Sequence, residues 1–266
     1  MLVTPSTPPE RFAGHRYPQV IPVPDEVEVG QPAPWAHLPA SARRAITSGR
    51  VLERLRASGR TLDVAPLPRE PAELAAIEAT SRTITRRSAV LVALFDEDGE
   101  AHVILTRRSF ELRAHRGEIA LPGGASDEGE DPIATALREA HEEVGLDPSR
   151  VTPAGWLNPL VTFASGSAIW PVVASLRERP RLVADPVEVD RVFTVALKDL
   201  VEEGAFLEER WRRAERRPGS DDAGFFPLYF YRVPGDVIWG ATARVLTELL
   251  CVALDVTWPE EGRRWG

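Results

Sequence analysis

The sequence predicts an α/β protein of the α+β kind: a mixed β-sheet sandwiched between helices, with a proline-rich and helical N-terminal extension. Three observations carry that expectation. From about residue 87 onward, apolar runs of strand length interleave with stretches of helical period, but not in strict βαβ alternation. Ala89 to Phe95 is continuously apolar, the pattern of a strand buried on both faces. Residues 131–145 carry helix boundary signals at both ends.

The elements follow in chain order. Residues 1–39 hold nine prolines, from Pro5 to Pro39. Each ring fixes φ and removes a backbone donor, so an extended arm is expected rather than a helix. Tyr17, Val20, Ile21, Val23 and Trp35 favour docking of this arm. A partner subunit is one surface it could dock on, which leaves a homodimer open. Residues 40–85 read as a helical extension. One helix is expected from Ala40 to Ala57, with Ile46, Val51, Leu52 and Leu55 as its apolar stripe, ended by Ser58-Gly59. A second is expected from Glu70 to Thr80.

A core domain is expected over 86–258, with a tail at 259–266. Its first strand is Ala89–Phe95, and Asp96 to Gly99 is a turn. A second strand covers His102–Arg107. After a helix at 131–144, strands are expected near 151–157, 168–176 and 190–196, then a helix at 197–204. Residues 207–224 are charged and end in Pro218-Gly219-Ser220-Asp221-Asp222, which reads as a mobile loop. Phe226–Val233 is a strand, and Ala241–Leu254 a closing helix.

Composition narrows the function classes. A net charge of -8 argues against broad nucleic-acid binding, which needs a basic patch. It leaves room for a local basic site, and Lys198 is the only lysine among many arginines, the better planar phosphate binders. The single cysteine, Cys251, allows no intrachain disulfide and sits in an apolar run, so burial is expected. No basic segment followed by an apolar one marks a signal peptide, and no apolar run reaches membrane-spanning length. A cytoplasmic location is the default expectation.

The informative segment reads GASDEGEDPIATALREAHEEVGL from Gly124. Asp131 suits the N-cap, Pro132 the first helical position and Gly145 the C-terminal stop. At about 100° per residue, Ile133, Ala136, Leu137, Ala140 and Val144 fall on one face, the core face. Glu139, Glu142 and Glu143 fall on another, as i, i+3 and i+4 neighbours. Such like-charge neighbours cost roughly 0.2–0.5 kcal/mol per pair. They also lie near the negative end of the helix dipole, where cations are preferred. Folding does not ask for this arrangement, whereas a divalent cation does, since Mg²⁺ takes carboxylate oxygens, waters and phosphates. The plainer reading is a solvated acidic face partly offset by Arg138. His141, between the two faces, reads as a surface or packing residue.

Gly124, five residues, Glu130, seven residues, then Arg138-Glu139-Ala140-His141-Glu142-Glu143-Val144-Gly145-Leu146 resembles the Nudix box. Every fixed polar and glycine position is filled, and Ala140 stands where a larger aliphatic residue is usual. The strand and helix order extends the likeness over about 87–256. The resemblance implies a loop-helix-loop that binds Mg²⁺ or Mn²⁺ and hydrolyses a diphosphate linked to another group. It implies Glu139, Glu143 and Glu142 as metal ligands, with the Gly124 carbonyl. Arg138 would orient the glutamates, Glu130 would support them, and Glu142 or a glutamate outside the box would serve as general base. Glu188 is an outside candidate, and a strand-flanking surface acid is its plainer reading.

The preceding stretch, ILTRRSFELRAHRGEIALPGG, carries Arg107, Arg108, Arg113, His115 and Arg116. Such a run is usually a solvated loop; leading into a metal site, it gains an anion-binding reading. Leu105, Thr106, Arg108, Ser109, Arg113, Gly117, Pro122, Gly123 and Gly124 resemble in register the second signature of the coenzyme A diphosphatase branch of Nudix hydrolases. Leu121 replaces its phenylalanine, and Glu118 stands where glutamine is common. Ile238 to Thr242 also looks like that branch, although burial of Trp239 and a helix start near Thr242 are the favoured explanation. The resemblance implies cleavage of coenzyme A or acyl-CoA to 3′,5′-ADP and (acyl-)4′-phosphopantetheine, with Arg108 and Arg113, and beside them Arg107 and Arg116, holding phosphate. Two alternatives stand beside it. Another nucleoside diphosphate derivative, such as ADP-ribose or a dinucleotide, could be the substrate; ADP-ribose enzymes tend to carry a proline shortly past the box, where Pro153 and Pro159 lie. A non-catalytic nucleotide-binding module would have lost box carboxylates, and all are present here.

Overall fold

In the computed structural model, residues 19–63, 86–162, 166–212 and 224–258 are described. Among them, strand β2 (Arg86–Glu97) divides the hydrophobic interior. Successive strand side chains point to opposite faces. Ala89, Leu91, Ala93 and Phe95 enter one core, while Val92 and Leu94 enter the other. That double burial is why the segment needs a continuous apolar run.

Asp98 and Gly99 turn the chain with positive φ values of 53° and 80°. An Asp-Gly pair suits a two-residue hairpin whose twist matches its strands. It leads into β3 (Glu100–Arg108), which pairs with β2 only over Leu94–Glu97. Beyond that point the two strands part. The chain's return segment then occupies both freed edges: β4 (Ile119–Ala120) pairs with Thr106 and Arg107, and β5 (Gly123–Ala125) pairs with Ser88–Val90. This wedge sets Gly123 and Gly124 in the middle of the sheet.

Helix α3 (Pro132–Val144) follows β5 and packs its apolar face on β2 through Ala136, Ala140 and Val144. The sheet is completed by β6 (Thr152–Trp156), β7 (Leu160–Val161), β8 (Ser167–Ser175), parallel to β2, and β9 (Val189–Ala196), antiparallel to β3. One parallel pairing among antiparallel ones makes it a mixed sheet. The opposite face is covered by α2 (Ser48–Ala57) and α5 (Gly240–Leu254), which share a core with Val92, Leu94, Val103 and Leu105. The expected α+β sandwich is therefore observed.

A second antiparallel sheet was not foreseen. Its order is β1 (Val27–Val29), β10 (Phe206–Arg212), β11 (Phe225–Val233) and β12 (Asp236–Trp239). Tyr229 and Tyr231 of β11 join the α2–α5 core, and Trp211 and Phe230 build a smaller cluster that Ile21, Val23 and Val27 of the arm pack against. The described arm holds no helix before Ala40: it includes strand β1, turns over Pro34–His37, and buries Trp35 in the main core.

Several expectations need correction. The single helix over 40–57 is two: α1 (Ala40–Arg44) and α2. The break falls at Ala45 to Thr47, where Ile46 is buried, its carbonyl accepts from the Ala101 amide, and the Thr47 hydroxyl accepts from the Arg50 amide as a new N-cap. The helix expected over 197–204 is a single turn, α4 (Leu197–Leu200). The loop expected from residue 207 is strand β10 as far as Arg212, paired along its length with β11. The remainder of that loop, the expected helix Glu70–Thr80 and the tail 259–266 lie outside the described residues. No helix among the described residues is long and apolar enough to cross a membrane.

Candidate active site

The box helix α3 is bounded as its sequence requires. The Asp131 carboxylate accepts from the Ile133 and Ala134 amides at 2.8 and 3.2 Å, and Gly145 closes the helix in the left-handed region with φ 66°. The Gly145 and Leu146 amides return to the His141 and Ala140 carbonyls, satisfying acceptors that the helix end leaves over. With both ends fixed, the apolar stripe sets the rotation of the helix and aims its glutamates at β5.

The three box carboxylates occupy different environments. The Glu143 side chain is 4% exposed, Glu139 15% and Glu142 58%. One Glu143 oxygen accepts from the Gly123 amide at 3.1 Å, and the other lies 3.7 Å from the Arg108 guanidinium. Burial, added to by Glu139 and Glu188, pushes the Glu143 carboxyl up to about 7. Burial also raises Glu139, against the opposing pull of Arg138.

Arg138 is the hub of the site. It donates to both Glu130 oxygens at 3.0 Å, to Glu139 at 2.9 Å, to Glu142 at 3.0 Å and to the Ala125 carbonyl at 2.9 Å. A planar fork of donors suits this task, which a lysine could not perform. Glu130 also accepts from the Thr135 hydroxyl and the Asp127 amide, and its bonds, that to Arg138 foremost, hold its carboxyl down at about 2. Its oxygens are thus engaged in tying the loop before the helix to Arg138.

Among the described residues, no three acidic, histidine or cysteine side chains form a closed metal cage. The donor set nevertheless fits a hard divalent ion. Glu139, Glu142 and Glu143 present carboxylate oxygens along one side of α3, and Mg²⁺ is satisfied by one or two carboxylates completed by water and phosphate. The backbone at Gly124 meets Glu139 so closely that a Cβ there would fall 2.4 Å from the carboxylate carbon. Two crowded, partly buried carboxylates that bind protons too tightly are groups a cation would relieve.

The arginines before the box separate by strand parity. Arg108 points to Glu143, while Arg107, one residue earlier, is buried and pairs with Asp190 at 3.1 Å and Asp236 at 3.4 Å. Arg107 is therefore not brought to the carboxylates as a phosphate holder. Arg113 and Arg116 are exposed on the loop between β3 and β4, where the Arg116 side chain bonds the Leu112 carbonyl. Gly117 shapes that loop, with φ 66° and the Phe110 ring where a Cβ would stand. Glu118 accepts from His115 at 3.0 Å, and Leu121 is buried in the core, so neither departure from the signature disturbs the carboxylates.

Other candidates fall as their plainer readings had it. His141 is exposed, with its ring 3.3 Å from the Leu146 carbonyl. Cys251 is buried, and burial pushes its thiol well above its usual range, so it is inert. Thr242 lies in the first turn of α5 as expected, whereas Trp239, expected to be buried, is only partly so, against the Trp211–Phe230 cluster. Glu188 is exposed and directly precedes β9, as its plainer reading had it, and its charge is a minor contributor to the raised Glu139 and Glu143 carboxyls. It arrives from the turn before β9, and no spacing within the box could announce it.

The NUDIX domain family matches residues 85–216. The chain is 35% identical over 216 residues to Nudix hydrolase 15, mitochondrial, of Arabidopsis thaliana, covering 79% of this chain and 69% of that protein. It is 34% identical over 167 residues to an uncharacterized Nudix hydrolase, NudL, of Photorhabdus laumondii, covering 62% of this chain and 83% of that one. Among solved structures, the Nudix hydrolase RenU of M. smegmatis is 27% identical and aligns over 44% of this chain and 73% of its own, with a TM-score of 0.38.

Proposed function

The chain belongs to the Nudix hydrolase family and is a hydrolase of phosphoric anhydrides; from that premise we propose that it cleaves the diphosphate of coenzyme A or acyl-CoA. The products would be 3′,5′-ADP and (acyl-)4′-phosphopantetheine. The observation that carries the reading is Arg108, which the coenzyme A-type signature supplies and which lies 3.7 Å from Glu143. One strand thereby delivers a phosphate-binding cation directly to the box carboxylates.

Nudix hydrolases use a divalent metal ion, here Mg²⁺ or Mn²⁺, which Glu139, Glu143 and Glu142 would hold with the Gly124 carbonyl. When bound, the ion neutralises diphosphate oxygens and acidifies a water. The remaining work falls to the chain. Arg108 holds a phosphate oxygen, and Arg113 and Arg116 offer further positive charge from the β3–β4 loop. Arg138 keeps Glu139 and Glu142 in place. Water attacks phosphorus, the anhydride P–O bond breaks, and Glu142, the most exposed of the three box carboxylates, takes the proton. Glu188, seated by its carbonyl on the Ser109 amide next to Arg108, is the second candidate for that proton.

A panel of CoA, ADP-ribose, NADH and dinucleoside polyphosphates, each with Mg²⁺ or Mn²⁺, tests the substrate. CoA should give the highest kcat/KM. Strong ADP-ribose cleavage with none of CoA would reverse the assignment in favour of another nucleoside diphosphate derivative.

A further inference from the structure

The segment leading into β9 makes a set of contacts that the catalytic reading does not use. Two of the last carbonyls of α3 are capped by it: the Val183 amide donates to the Val144 carbonyl and the Asp185 amide to the Glu143 carbonyl, each at 2.9 Å. Such acceptors have no partner within a helix. The Asp185 side chain then accepts from the Val187 amide at 2.7 Å, and its carbonyl accepts from the Val189 amide at 2.8 Å. Pro186 lies between and presets φ for the turn. One residue thus closes a side-chain turn inside a wider backbone turn.

That turn delivers Glu188. The Glu188 carbonyl accepts from the Ser109 amide at 2.8 Å, which seats this exposed residue beside the strand end that carries Arg108. Ser109 adjoins Arg108, whose guanidinium returns to Glu143. The contacts run from Glu143 through Asp185 to Glu188, then through Ser109 and Arg108 back to Glu143.

We propose that Asp185 is a positioning residue for the hydrolysis: its side-chain turn fixes Glu188 at Ser109, next to the Arg108–Glu143 contact, while its amide anchors the Glu143 backbone. The proposal rests on the reading of the Glu139–Glu143 pair as the metal-holding site. Any substitution keeps the amide, so the side chain can be tested alone. Asp185→Ala removes the acceptor for Val187, and Asp185→Asn keeps an oxygen there.

Asp185→Ala should lower kcat about tenfold, the order expected when a reacting group is misplaced by a fraction of an ångström. KM should stay within about twofold, because substrate binding is not what the turn supports. Mn²⁺ binding to the free protein, read by electron paramagnetic resonance, should weaken several-fold. Asp185→Asn should restore both. In a Glu188→Gln background, Asp185→Ala should cost less than about twofold more, because the two residues act as one unit. A full loss persisting in that background would overturn the proposal, as would an Asn variant no better than Ala, or an Ala variant equal to wild type in turnover and Mn²⁺ binding. The parent reading fails separately: Glu139→Gln and Glu143→Gln that bind Mn²⁺ and turn over like wild type would dismiss the carboxylate pair, and the proposal with it.

Discussion

Glu143 is 4% exposed and Glu142, one residue earlier, 58% exposed, so adjacent carboxylates on one helix meet different solvents. The sequence makes them equivalent; the difference arises because Glu143 turns under the Gly123 amide while Glu142 turns outward to Arg138. The buried one has the measurable consequence. Its folded carboxyl titrates at about 7, above its usual 4.5, so the metal-free folded state holds that proton more tightly than the unfolded chain does. The stabilisation is complete below about pH 4.5 and is lost as pH rises through about 7. In chelator, thermal or urea melts should show wild type losing up to about 3 kcal/mol over that window relative to Glu143→Gln, which stays neutral. Parallel pH profiles for the two proteins would refute this. Residue identity was legible here, but the separation of Arg108 from Arg107 was not: the sequence grouped both as phosphate holders, and which side of β3 faces the box depends on where β4 and β9 pair.

Helix α3 was legible as an element because everything that bounds it is local: Asp131, Pro132, Gly145 and a stripe of helical period. The wedge that completes the site was not. Strands β4 and β5 are two and three residues long, and their partners lie across the opening between β2 and β3. No periodicity survives at that length. Charge disguised β10, where Glu208 and Glu209 are buried and Glu209 accepts from the Trp211 indole at 2.7 Å. The two glycines of the wedge should respond differently to substitution. A Cβ at Gly123 would fall 2.3 Å from the Ala89 carbonyl oxygen, which is backbone and cannot step aside. Gly123→Ala should cost about 1–3 kcal/mol of stability. A Cβ at Gly124 meets the end of a side chain, the Glu139 carboxylate, which can move. Gly124→Ala should keep its melting temperature and lose Mn²⁺ affinity. Equal losses of stability in both variants would contradict the distinction.

At the scale of the molecule, the sandwich was foreseen and the second sheet was not, since its first strand comes from the proline-rich arm and its pairing spans most of the chain. Several apolar residues of the described arm are seated on their own chain, Ile21, Val23 and Val27 against the Trp211–Phe230 cluster and Trp35 in the main core, while Val20 and Val29 stay exposed. Deleting residues 1–38 should therefore lower the melting temperature by several degrees at unchanged subunit number by light scattering; a drop in subunit number would assign the arm to a partner copy instead. Gln19 also donates to the Gly117 carbonyl at 3.0 Å, so the arm touches the loop that carries Arg113 and Arg116. The whole arrangement converges on one proposal: the carboxylates of α3 hold a divalent ion for the hydrolysis of a diphosphate. The most direct test is turnover of the best substrate of the panel by wild type and Glu143→Gln, with Mg²⁺ and with chelator, on protein of matched circular dichroism. The account predicts activity only with metal, and a loss of about a hundredfold or more in the folded variant. Turnover by Glu143→Gln close to wild type, or turnover by wild type in chelator, would contradict it.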